Sequence, residues 1–107
     1  MRFVVPLLCN ANKEPIGVFS SKTTAAGDLV VLFANKAKWD RFARAAGALV
    51  RSSDQYLASV ELEGENLDAV VRQLAAIDPN ISTEATFLPD SAPIVEQLIA
   101  GFEKLSC

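Results

Sequence analysis

Histidine is absent from the 107-residue sequence, and cysteine occurs only at positions 9 and 107. The lack of histidine removes the commonest general base and the commonest metal ligand of proteins. Two cysteines at opposite ends of a chain provide neither a disulfide framework nor a zinc-binding spacing. Cys9 lies in an apolar run without a histidine to activate it, so we expect a buried thiol there. We therefore predict that this chain is not an enzyme and that it contains no catalytic residue, metal ligand or cofactor.

Long hydrophobic runs are also missing from the sequence. No apolar stretch approaches the roughly 18 residues that cross a bilayer, and Pro6 interrupts the first one too early for a signal peptide. We expect a cytoplasmic protein without membrane contact. The isoelectric point near 4.8 argues against general nucleic-acid binding, which needs basic surface to neutralise phosphates. Apolar residues make up 50% of the chain, which predicts a single globular domain over residues 1–107.

The charges that are present are divided by position. Residues 1–52 carry eight basic and three acidic side chains, a net charge of +5, whereas residues 53–107 carry two basic and ten acidic ones, a net charge of −8. Neither half is long enough to build its own core comfortably, so the division favours two oppositely charged faces of one domain. Complementary charge of this kind mainly sets the orientation and rate of association between molecules.

Hydrophobic periodicity predicts five strands and three helices. We expect strands over residues 3–9, 16–19, 29–34, 56–63 and 81–88. We expect a helix over 36–51 that Asn35 caps, another over 65–77, and a last one capped by Asp90 or Ser91. The order β-β-β-α-β-α-β-α predicts an α+β fold with a single mixed sheet of about five strands and three helices packed mainly on one face.

Local signals add detail to this expectation. Pro6 cannot donate to a sheet ladder, which predicts an edge strand or a bulge at that point. The run 29–34 shows no alternation, so both of its faces should be covered. Residues 20–28 are polar and predict a surface loop, and Gly47 predicts a bend or an early end in the first helix.

Candidate binding residues come from the basic helix and from the strand 56–63. Tryptophan, tyrosine and arginine are enriched at interface hot spots, although core anchoring is the more common role of a residue such as Trp39, and the same two roles are open to Tyr56. The basic helix could be a solvated face, or it could meet phosphates or acidic surface, in the same molecule or in a partner. The acidic residues near 61–68 alternate along a strand and predict a solvated face rather than a cation site. The residues that we expect to form a binding surface are Trp39, Arg41, Arg44, Tyr56, Glu61 and Glu63.

The chain contains two apolar runs, 4–8 and 29–35, and the second leads into the helix that carries Trp39. These runs resemble the N-terminal domain of the enhanced serine sensitivity (SseB) family. The segment 60–67 is similar to that family's strand-to-helix corner. The chain departs from the family at Phe33-Ala34-Asn35, where the family has Phe-Thr-Ser, and at residues 78–80, where the family has an Asn-Pro turn. The resemblance spans residues 29–88. It implies a small α/β module without an established active site, and hence no catalytic residues.

Three functions follow as hypotheses. The first is a non-enzymatic binding module that interacts with a second copy of itself, as a homodimer, or with another protein. The second is an acidic inhibitor of the immunity or antitoxin kind, which would bind a basic partner through its acidic half. The third is a small-molecule sensor or minimal enzyme with a pocket between sheet and helices.

Overall fold

Among residues 1–23, 27–79 and 85–106, which a computed structural model describes, the chain forms six strands and three helices. The strands are β1 (Arg2–Cys9), β2 (Pro15–Val18), β3 (Ser21–Thr23), β4 (Gly27–Leu32), β5 (Tyr56–Glu63) and β6 (Ala85–Pro89). The helices are α1 (Lys36–Arg51), α2 (Leu67–Ile77) and α3 (Pro93–Ser106). The α+β class and the predicted order are confirmed, with β3 added in the segment that was predicted as a loop. The first part of the strand predicted over 81–88, and Cys107, lie outside the described residues.

The strands divide into two three-stranded sheets, ordered β2-β1-β5 and β3-β4-β6, rather than forming the single sheet that we expected. Among the strands of the described residues, only β4 and β6 pair in parallel. The sheets meet where Val4 and Phe33 exchange backbone hydrogen bonds of 2.7 and 2.9 Å. The split has a simple cause: β2 occupies the same edge of β1 at residues 7–9, so β4 cannot run alongside that edge.

Pro6 lies in the central strand of its sheet, so the edge-strand prediction is wrong. Its neighbour Val4 and its own carbonyl both point to the β2 side, where the carbonyl accepts a 3.0 Å hydrogen bond from the Phe19 amide. The register of the β1–β2 pair continues to Phe19 opposite Pro6, so these two residues share one hydrogen bond where an ordinary residue at position 6 could form two. The proline is tolerated at this point because it faces the end of the β2 pairing, and the register irregularity of β1 falls between Leu8 and Cys9 instead.

Helices cover both faces of the strands. One core joins α2, through Val70 and Leu74, to one side of β1, β4 and β5. The other core joins α1 and α3 to the opposite side, where Phe42 and Ile99 pack on β4. We expected the helices mainly on one face, and α2 departs from this. The coverage explains the unbroken apolar run of β4, for which burial on both faces is confirmed, and Cys9 is a buried free thiol as predicted.

The predicted cap of α1 is confirmed, because the Asn35 side chain accepts a 3.1 Å hydrogen bond from the Lys38 amide. Gly47 does not end this helix, which continues to Arg51. Asp90 or Ser91 was predicted to cap the last helix, and the side chain of Asp90 has a different role. Its buried carboxylate accepts hydrogen bonds of 2.9 and 2.7 Å from the amides of Ala34 and Asn35. Asp90 thus fastens the turn before α3 to the turn before α1.

The corner between β5 and α2 is tight. Asn66 caps α2 by accepting a 3.0 Å hydrogen bond from the Ala69 amide, so the helix begins at Leu67 and not at residue 65. Gly64 lies against this first turn, and a Cβ at position 64 would come within 2.9 Å of the Ala69 Cβ. The corner therefore requires glycine for close approach, and it holds the end of β5 against α2.

Candidate functional site

The basic face of α1 meets the acidic C-terminal half within the same molecule. Arg41 donates to both carboxylate oxygens of Glu103, at 2.6 and 3.3 Å, and to Glu96 at 2.6 Å. The hydrogen bonds that Arg41 donates to Glu103 and then to Glu96 raise the pKa of Arg41, and the hydrogen bond that Glu103 accepts from Arg41 lowers the pKa of Glu103. About two fifths of each of the Arg41 and Glu103 side chains remains exposed, so solvent screens the bridge. This region, Arg41 with Glu96 and Glu103, is the α1–α3 ion cluster.

Arg44 lies beside this cluster and is exposed. Its charge is a minor contribution to the lowered pKa of Glu103. Arg41 and Arg44 border a shallow cavity of about 200 Å³ together with Ala45 and Glu103. These two predicted binding residues therefore lie together, on a part of α1 that already has an intramolecular partner.

Trp39 contributes to the core and is also partly exposed. Its indole ring packs against Phe33 and Phe42, with ring centroids 5.4 and 5.9 Å away, so it does anchor the core. The residue is nevertheless only half buried. Its exposed part lies between two surface cavities that border β5, which keeps it available for contact with a ligand or partner.

The two cavities bring together residues that are far apart in sequence. The larger one measures about 430 Å³ and is lined by Arg2, Lys36, Trp39, Ser59 and Glu61, among others. The smaller one measures about 260 Å³, and the residues that border it include Trp39, Arg51, Tyr56 and Ser59. Three of the six predicted residues, Trp39, Tyr56 and Glu61, thus border one or both of these cavities, which sequence reasoning had not joined to Arg51 and Ser59.

The acidic end of this surface is weakly paired. Arg2 lies 4.0 Å from Glu61 and 3.5 Å from Glu63, and all three side chains are more than 60% exposed. The opposite end is basic, because the Lys13 Nζ lies 5.5 Å from the ring centroid of Tyr56. Tyr56 itself is 38% exposed. The strand β5 therefore runs from a basic to an acidic end.

One edge of β5 has no neighbouring strand among the described residues. At the start of the β1–β5 ladder, Met1 and Gly64 exchange hydrogen bonds of 2.7 and 3.0 Å. This pair determines which of the following residue pairs in the register are hydrogen-bonded. Antiparallel pairs alternate between bonded and non-bonded. The even-numbered residues of β5 therefore bond to β1, and the peptide groups of Leu57, Ser59 and Glu61 point outward. Glu63 points the same way, but its carbonyl already accepts from the Gln73 side chain. We call residues 57–61 the open β5 edge.

A further cavity, lined mainly by apolar side chains, is bordered by α3 and by the residues that follow β2. It measures about 390 Å³, and its lining includes Phe19, Leu98, Phe102 and Leu105, of which Leu105 is 71% exposed. The apolar side chains of α3 thus extend past the core. The polar residues of the lining are Ser20, Ser21 and Gln97.

Within residues 1–23, 27–79 and 85–106, no set of three or more acidic or cysteine side chains is arranged to hold a metal ion. Among the helices of that part of the chain, none is both long and apolar enough to span a bilayer. Comparison with protein-family models, with curated proteins and with solved structures found no match to this chain. The resemblance to the enhanced serine sensitivity family stays a hypothesis.

Proposed function

We propose that this chain is a protein-interaction module without catalytic activity and that it acts as a homodimer. The observation that carries the proposal is the open β5 edge, which belongs to an eight-residue strand and lies beside half-buried Trp39 and exposed Tyr56. An edge of this kind presents unpaired N–H and C=O groups that pair readily with a strand from another chain.

The side chains around the edge support the same function. Tyr56 and Trp39 offer large rigid contact surfaces, and exposed Arg51 borders a cavity together with both residues. Residues of these three types are the ones most enriched among interface hot spots. The absence of histidine from the chain leaves the site without the usual general base, which supports binding rather than catalysis.

The charge division of the sequence gives the proposal only weak support. Arg41 forms ion pairs with Glu96 and Glu103 of the same molecule. Backbone pairing and apolar contact must therefore supply most of the affinity, while the remaining charges orient the two molecules.

The test is molar mass in solution by light scattering, at about 0.05 M and about 0.5 M salt, where exposed charges are weakly and strongly screened, respectively. A dimer at both salt concentrations is the expected result, since strand pairing depends little on salt. A dimer only at low salt would also support self-association, with charge as its main source. A monomer at both concentrations would refute homodimerisation.

The acidic-inhibitor function is a second candidate, because Glu61 and Glu63 are 63% and 71% exposed at the end of an open strand. A monomer that binds a basic host protein, and loses it on the double change Glu61→Lys and Glu63→Lys, would favour this candidate over the homodimer. Retention of the partner after both changes would count against it.

A further inference from the structure

We propose that the second copy binds by adding its own β5 antiparallel to the open β5 edge, with the twofold axis of the dimer at Ser59. The inference rests on the proposed self-association and goes beyond it by naming the strand, its direction and its register.

The four edge strands of the two sheets are not equally suited to pairing. β5 has eight residues, whereas β2, β3 and β6 have four, three and five. β2 begins with Pro15 and β6 ends with Pro89, and proline is one of the devices by which natural edge strands block pairing with other chains. β5 contains no proline, so it is the edge at which a further strand fits best.

The register follows from the outward peptide groups. In a symmetric antiparallel pair, each outward residue must face an outward residue of the second copy. Centring the pair on Ser59 places Ser59 opposite its own copy and Leu57 opposite Glu61, so that all three outward residues of both strands are paired. Centring it on Val60 would instead require Glu63, whose carbonyl already accepts from Gln73.

The side chains fit the same register. Val60 and Leu62 pack on the α2 side of β5, so Tyr56 and Ala58 lie on that side too. The Ser59-centred register places Tyr56 opposite Leu62 of the second copy and Ala58 opposite Val60, which are apolar pairs that stabilise adjacent strands. In the register centred on Val60, Tyr56 would face Gly64, which offers no side chain to pack on.

The charges select the antiparallel direction. Leu57 packs near α1, and Ser59 and Glu61 line a cavity with α1 residues, so these side chains share the α1 side of β5. Arg51 borders the other end of that side, next to Tyr56 and Leu57. Antiparallel pairing brings Arg51 of each copy toward Glu61 of the other. Parallel pairing would align the acidic ends, which is unfavourable.

The first experiment compares Ser59→Pro with Ser59→Ala in the full chain, by sedimentation velocity over a concentration series. The Ser59 amide faces away from β1, so proline removes no bond within one molecule, but it removes the central amide of the dimer in both copies. We expect Ser59→Pro to weaken self-association at least about tenfold and Ser59→Ala to change it less than about threefold. Unchanged circular dichroism and melting temperature establish that the proline variant is folded.

The second experiment is a charge swap that does not depend on the proline variant. Arg51→Glu and Glu61→Lys should each weaken the homodimer, because each places like charges together twice. A mixture of the two variants should form a heterodimer again, because both of its contacts join opposite charges. Arg44→Glu is the matched control, since Arg44 is exposed on α1 beside the ion cluster and not beside β5, and it should leave dimerisation unchanged.

The outcomes separate this inference from the proposed function. A wild-type chain that is monomeric overturns both. A wild-type dimer that keeps its affinity after Ser59→Pro, or whose charge-swap mixture forms no heterodimer, overturns the pairing through β5 and leaves homodimerisation in place through another surface.

Discussion

The α1–α3 ion cluster and the open β5 edge hold the two groups of residues that the sequence marks for binding, and they differ in what is left unpaired. In the cluster, Arg41 finds two carboxylates of its own molecule. At the edge, the peptide groups of Ser59 and its outward neighbours find no strand among the described residues. Charge alone therefore gives a poor guide to an interface, because opposite charges often meet within one chain. An unpaired backbone edge is the stronger indication.

We expect the largest effect on stability from a substitution at Asp90, in the turn before α3. Asp90→Ala removes a buried carboxylate that accepts from the amides of Ala34 and Asn35, and both amides lose this partner. We expect a loss of about 1–3 kcal/mol in the free energy of unfolding, measured by urea denaturation, because two part-buried hydrogen bonds to a charged group are lost. Ser91→Ala is the control, since Ser91 is exposed and next in the chain. Equal stability of the two variants would contradict the bridging role of Asp90.

The end of the open edge can be perturbed at Gly64. A methyl group there would lie 2.9 Å from the Ala69 Cβ and 3.1 Å from the Val70 Cγ2, so Gly64→Ala should destabilise the fold by about 1–3 kcal/mol. Gly101→Ala has nothing within 4 Å of its added Cβ and lies inside α3, so it should be neutral or slightly stabilising. Thermal denaturation of both variants tests this. Similar melting temperatures would mean that the β5–α2 corner is looser than its geometry indicates.

The comparison also explains which parts of the molecule could be predicted from the sequence. Local patterns were sufficient for β5, whose bounds 56–63 follow from alternation, and for the start of α1 at its Asn35 cap. The role of Asp90 was missed, because an aspartate just before Pro93 is a strong local signal for a cap, whereas its actual partners lie more than 50 residues away. Ser21 was assigned to a loop, because a three-residue strand has too few positions for a period.

The open edge itself could not be predicted, because a strand is an edge only by virtue of the strand order. That order depends on how β1 divides its pairing between β2, β5 and Phe33, and these contacts span long distances in sequence. The same reason explains why Arg51 and Ser59 were not recognised as parts of the candidate surface, although Tyr56 and Glu61 of the same strand were.

A smaller effect is expected where α1 supports β5. Gly47 is buried inside the helix, and an added Cβ would lie 4.0 Å from the Leu57 Cβ, an ordinary contact distance. Gly47→Ala should therefore raise the free energy of unfolding by about 0.5–1 kcal/mol, through the helix propensity of alanine. Urea denaturation measures this gain, and sedimentation velocity should show unchanged self-association. A destabilised variant would mean that α1 and β5 are packed too closely for a methyl group.

The smallest effect should come from breaking the α1–α3 ion cluster, and it has a distinct dependence on pH. Because Arg41 lowers the pKa of Glu103, the folded state binds this proton less readily than the unfolded state does. The stabilisation is present above the unfolded pKa of about 4.3 and is lost as pH falls through the folded pKa. Arg41→Met should therefore flatten the acid side of the stability profile, measured by urea denaturation between about pH 3 and pH 7.

The matched control for this change is Arg72→Met, on α2, where the arginine donates to a backbone carbonyl of its own helix and to no acidic side chain among the described residues. Arg72→Met should keep the wild-type pH profile. Both variants should also keep wild-type self-association, because neither arginine borders the open β5 edge. If Arg41→Met instead weakened the dimer as strongly as Ser59→Pro, the ion cluster and not the edge would be the interface. The charge division of the sequence would then have been the better guide.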